Sequence, residues 1–146
     1  MNQNRKNGPE GLGGWLLIPA IALVLVPVKI LVADSYFCRS LLEANPGLHG
    51  EVRFWLLWVI DFLIIGFMAL TATYFYRRKK ETPKVFISYL AMSALGALLQ
   101  ALLMINLTLR APTYDAFLPF IGTLVAAVVW SLYFLKSQRV KNTFVR

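Results

Sequence analysis

The 146-residue chain has one cysteine, one histidine and only seven acidic side chains, and each scarcity removes a class of protein. With Cys38 alone, no disulfide can form within the chain, so a disulfide-stapled secreted domain is excluded. His49 is the only imidazole, and neither a nucleophile elbow (G-x-S-x-G) nor a phosphate-cradling GK[ST] occurs. No enzymatic activity is therefore expected. Cys38, Glu43, His49 and Glu51 share one stretch, but their spacing matches no zinc pattern, so neither a metal site nor a cofactor is expected. Charge is also thin: Asp, Glu, Lys and Arg make up 15% of the chain, against about a quarter in soluble domains.

Apolar residues fill the gap, at 58%, and the charges that remain are mostly positive, 15 Lys plus Arg giving a net +8. A nucleic-acid module would set its basic residues among polar neighbours on a wet surface. Here they fall between long apolar runs, which points to lipid as the solvent.

Residues 1–10 are polar and aperiodic and are expected to form a flexible cytoplasmic tail. Residues 11–33 follow with Lys29 as their one charge, and about 20 apolar residues suffice to cross a hydrocarbon core. A cleaved signal peptide is the alternative, because Arg5 and Lys6 precede the run, but the run is too long for such a segment and lacks a small-x-small cleavage site. Residues 34–53 are expected to be a loop that turns at Asn45-Pro46-Gly47, with a short amphipathic helix before it around Tyr36 to Ala44. Three further runs span about 54–76, 84–109 and 114–135. The first carries Asp61 and stops at Arg77 to Lys80; Pro83 opens the second, which holds Gln100 and Asn106; a tight turn around Pro112 leads to the third. A basic cytoplasmic tail, 136–146, closes the chain. The fold expected is all-α: an integral membrane bundle of four transmembrane helices in up-and-down order, residues 11–135.

Positive charges resist translocation, and eleven of the fifteen fall before the first run, between the second and third, or after the fourth. Both termini are thus expected in the cytoplasm. Trp15, Tyr74, Tyr76, Tyr89, Trp130 and Tyr133 would mark the inner interface, and Tyr36, Trp55, Trp58 and Tyr114 the outer one.

Lys29 and Asp61 are the two charges inside predicted spans, at matching depths of about 8 and 11 Å below the outer end, and Gln100 lies at a comparable level. They predict an outward-facing polar pocket lined by Lys29, Asp61 and Gln100. The alternative is that Lys29 snorkels to the surface while neighbouring helices satisfy Asp61. Pro19 and Pro27 interrupt the first helix, and small residues recur every fourth position at Ser93, Ala97 and Ala101 and at Thr123, Ala127 and Ser131, a pattern that lets helices approach closely.

The opening Gly11-Leu12-Gly13-Gly14-Trp15-Leu16 and the closing stretch from Tyr133 to Val145, with Ser137-Gln138-Arg139-Val140-Lys141-Asn142-Thr143-Phe144 at its heart, resemble two signatures of the bacterial membrane family known as domain of unknown function 2569. The resemblance spans the chain. It implies four spanning helices with both ends inside, placement in the bacterial inner membrane, and no assigned activity. Both signatures would lie at the cytoplasmic interface, and the tail is expected to fold back on the glycine-rich start. Gly13, Gly14, Trp15, Arg139, Lys141 and Phe144 would then offer a surface to a partner or to lipid headgroups. The alternative is a topology anchor and helix stop. Anionic inner-leaflet lipids account for the basic segments, and no nucleic-acid partner is expected. On these grounds the chain is expected to be an accessory or scaffolding component that packs against other membrane proteins. The rival is a small transporter or a lipid- or small-molecule-binding protein that works through the outer polar pocket, with a homodimer as one form.

Overall fold

A computed structural model describes residues 13–108 and 114–144, all helix and connecting turn with no strand among the described residues. The turn expected around Pro112 and the whole N-terminal tail expected at residues 1–10 lie outside them. The elements are a short 3-10 turn (Gly14–Leu16), α1 (Leu17–Ala44), a 3-10 turn (Pro46–Gly50), α2 (Val52–Tyr76), α3 (Thr82–Thr108), α4 (Tyr114–Lys136) and a short α5 (Gln138–Thr143). Four of these helices are long and apolar enough to cross a membrane.

The first helix differs from expectation. It does not end at residue 33 but runs unbroken for 28 residues to Ala44, absorbing the separate short helix. At about 1.5 Å per residue it is about 42 Å long, more than the hydrocarbon core of about 30 Å requires. The polar residues that suggested a loop satisfy themselves along the helix. Ser35 and Ser40 donate to the carbonyls of Val32 and Phe37, and Arg39 pairs with Glu43 one turn on. Only Asn45-Pro46 stops it, because the residue before proline disfavours helical geometry. Pro19 sits in the first turn, where its missing N–H is not needed, so Pro27 alone interrupts the ladder of α1. A second interior proline, Pro119, lies in α4.

Packing follows chain order: α1 against α2, α2 against α3, and α3 against α4, the last being the most extensive pairing. Gly96 of α3 lets α2 come close, since a Cβ there would lie 2.6 Å from Ile64 Cδ1. Ala101 and Ala127 of the two small-residue stripes are buried. Large apolar side chains such as Leu25, Leu63, Leu95 and Val125 stay exposed along the helices, as a lipid-facing surface requires.

An aromatic core lies at the end of the bundle where the first and last described residues sit. Phe86 of α3 stacks on Phe134 of α4 with ring centroids 4.3 Å apart. Phe75 of α2 closes the group, and Leu16, Val140 and Phe144 reach it from the chain ends. The segment after α4 therefore turns back into the bundle. Ser137 caps α5 by accepting a hydrogen bond from the Val140 N–H, which starts the reversal. Val140 is fully buried.

Candidate functional site

At the opposite half of the bundle α1 and α4 do not pair closely, and the space between them is a cavity of about 480 Å³. Helical spacing explains its walls. Val26, Ile30, Ala33 and Asp34 form one face of α1; Asp61 and Ile64 come from α2; Tyr89, Ser93, Ala97 and Gln100 lie one turn apart on α3; and Pro119, Gly122 and Thr123 line the α4 side. A second cavity of about 430 Å³ shares Lys29, Ala33, Asp34, Asp61, Gln100 and Pro119 with the first. It continues past Cys38, Leu41, Phe54 and Trp58, away from the termini. Together they make one hollow, closed at the aromatic core and running toward the α1–α2 connection.

The polar groups of this hollow are few and close together. Gln100 Nε2 donates to Asp61 Oδ1 at 2.6 Å, joining α3 to α2 where Asp61 is 9% exposed. Asp34 of α1 faces the same carboxyl. The two carboxyl groups are hydrogen-bonded to each other, and the Asp34 Oδ2 is fully buried. Lys29 lines both cavities, yet it is itself exposed and forms no ion pair within 4.0 Å among the described residues. The structure thus brings Lys29, Asp61 and Gln100 to one hollow without joining lysine to aspartate.

Asp34 and Pro119 are wall residues that the sequence does not single out, while Tyr89, expected at the inner interface, is buried and lines the wall with Ser93 of the small-residue stripe. For Asp34 a signal was present, since no glycine or proline falls between Ala33 and Asn45 and the positions 26, 30, 33, 37 and 41 keep a helical period. Its carboxylate sat next to the end of the apolar run and so passed for loop.

The residues expected at the terminal end divide. Arg139 lies across the backbone of Gly13 and Gly14, where added Cβ atoms would stand 3.2 and 3.0 Å from its Nη1. Gly14 has φ +59°, a left-handed conformation that glycine adopts without cost. Trp15 and Lys141 are exposed, but Phe144 is not available to a partner: its ring lies 5.3 Å from that of Phe75 and stacks on Phe134. Leu16, Val140 and Phe144 make this end a packed closure, with the charged side chains left around it.

Four apolar helices around a one-sided polar hollow define a small multi-pass membrane protein. Residues 9–145 match the family described as Protein of unknown function (DUF2569), and the chain belongs to that family. It is 28% identical over 146 residues to the Inner membrane protein YdgK of Escherichia coli (strain K12), covering 94% of this chain and 95% of that protein. No solved structure matches it. The chain is accordingly a multi-pass inner-membrane protein of an uncharacterised family.

Proposed function

We propose that the protein is a non-catalytic binding protein that holds a small polar ligand in the hollow between α1 and α4, with both termini in the cytoplasm and the hollow facing outward. The observation that carries this reading is the meeting of Asp34, Asp61 and Gln100 from three helices on the wall of one continuous cavity. Charged groups within spans are costly and are kept where they have work to do. A cavity of this size, mostly apolar with a few convergent polar groups, suits a small ligand. The stacked rings of Phe86, Phe134 and Phe144 argue for binding over passage, since they fill the bundle at the other end. The orientation draws on the bias of positive charge.

Native mass spectrometry of the protein in mild detergent tests this reading. The expected result is a monomer or dimer carrying one small ligand or lipid per chain, lost in Asp61→Asn. Bare protein in every preparation would overturn it.

A second reading, the accessory role, is favoured by the same seam: α1 and α4 leave a lateral gap that a helix of another membrane protein could fill. In that case the same spectra would show a complex with a second chain, and Asp61→Asn would leave it intact.

A further inference from the structure

Two side-chain hydrogen bonds tie α1 to α2, one in each half of the bundle. Near the aromatic core the Tyr76 hydroxyl donates to the Ala20 carbonyl at 2.7 Å. In the hollow half Asp34 and Asp61 are hydrogen-bonded to each other, and Gln100 Nε2 extends the connection to α3. The two ties differ in kind. The first joins a hydroxyl to a backbone carbonyl and carries no charge. The second holds only while one of the two carboxyl groups keeps its proton, because a carboxylate accepts hydrogen bonds and donates none. With both groups ionised, like charges would face each other in a wall where Asp61 is 9% exposed and the Asp34 Oδ2 is fully buried. We infer that the Asp34–Asp61 pair is a proton-operated latch: one shared proton holds the outer half of α1 against α2, and its loss into the hollow lets that half of the helix swing away. The inference concerns a proton rather than the ligand of the binding reading, and it stands without that reading.

The surrounding structure supplies the moving parts. Pro27 interrupts the hydrogen-bond ladder of α1 between Ala20 and Asp34, so the break falls between the uncharged tie and the titratable one. On its other side the outer half of α1 borders the cavity, since α1 and α4 do not pair closely. The proton has a route, because both cavities reach Asp34 and Asp61 and the second continues past Cys38 and Trp58. Of the titratable and charged groups facing the pair, Lys29 comes from α1 and Tyr89 from α3, while Cys38 borders the outer extension. Pro119, Gly122 and Thr123 on the α4 side bring none. Lys29 is exposed, and its flexible stem lets the ammonium approach the second carboxylate once the proton has passed to water.

The test uses the full chain in mild detergent, with one readout for the proton and one for the latch. Infrared spectroscopy follows the carbonyl stretch of protonated carboxyl groups as pH is raised. Wild type is expected to show one such group at neutral pH and to lose it on alkalinisation, while Asp34→Asn and Asp61→Asn each lack it. Labelling of the native Cys38 with a maleimide reads the latch. An asparagine amide donates without titrating, so Asp34→Asn stays latched throughout. At neutral pH the two proteins should label alike. At the alkaline pH where wild type has lost its protonated carboxyl, it should label about tenfold faster than Asp34→Asn, following the open fraction. A carboxylate one turn from Cys38 would by itself disfavour the reactive thiolate, so faster labelling reports opening. Asp61→Asn, whose amide can accept from Gln100 and donate to Asp34, serves in the same comparison if Asp34→Asn folds poorly. A wild type without a protonated carboxyl at neutral pH, or either variant retaining one, overturns the inference. Equal labelling of wild type and variant after the proton is lost overturns it too. Ligand retained in native mass spectra by a protein that fails these tests leaves the binding reading standing while the latch falls.

Discussion

Asp61 has two separable duties, as the acceptor for the Gln100 amide and as a charge on the cavity wall. Asp61→Asn keeps an acceptor oxygen in place, so its melting temperature is expected to stay near that of the wild type while ligand is lost. Asp61→Leu leaves the Gln100 amide without its partner and should cost about 1–3 kcal/mol, read as an earlier midpoint in thermal or denaturant unfolding. If the two variants melt alike, the Gln100 bond contributes nothing to the bundle. Lys29, Asp61 and Gln100 were legible because a polar residue inside an apolar run is an exception that can be seen without coordinates. Asp34 was not, although it faces Asp61 more directly than Lys29 does. It is the first polar residue after the run, and only the continuation of α1 through Ser35 and Ser40 turns it from loop residue into wall.

The closing segment shows where composition stops informing. Its alternation of basic and apolar residues suggests an interfacial strip, and the fold-back onto the glycines is expected from the two signatures. That Val140 and Phe144 would enter the core is a different matter. A helix of six residues is too short to declare a buried face by its period, and the rings it meets, Phe75 and Phe134, come from helices far apart in the chain. Phe144→Ala is therefore expected to destabilise the bundle by about 3 kcal/mol, in the range of other buried aromatic truncations, and to lower its melting temperature in detergent. Lys141→Ala, on the exposed side of the same turn, should leave it unchanged. Equal effects of the two would mean that α5 lies on the surface and serves only as an anchor.

Taken whole, the molecule is asymmetric, hollow at one end and filled with stacked rings at the other. The four spans were legible because their solvent imposes a minimum apolar length, and their order because the connections are short. The hollow was not, since it depends on α1 and α4 failing to close on each other, a relation between the most distant helices of the bundle. Its proposed outward orientation can be checked with the protein's single cysteine. Cys38 lines the outer extension of the cavity and is half-buried, while Gly47, in the following turn, is exposed and has open space around it. In intact cells with a permeable outer membrane, a membrane-impermeant maleimide should label a Gly47→Cys variant in a Cys38→Ser background, and protection by intact membranes would reverse the topology. The aromatic closure has an electrical consequence. Most of the potential across the membrane must drop over the filled half, so the carboxylates of the hollow sense only a fraction of it. A full crossing is worth about 2.3 kcal/mol per charge per 100 mV, and a lone cation entering partway would gain a small share of that. A ligand with no net charge to move would fill the site equally well in an energised cell and in a depolarised one.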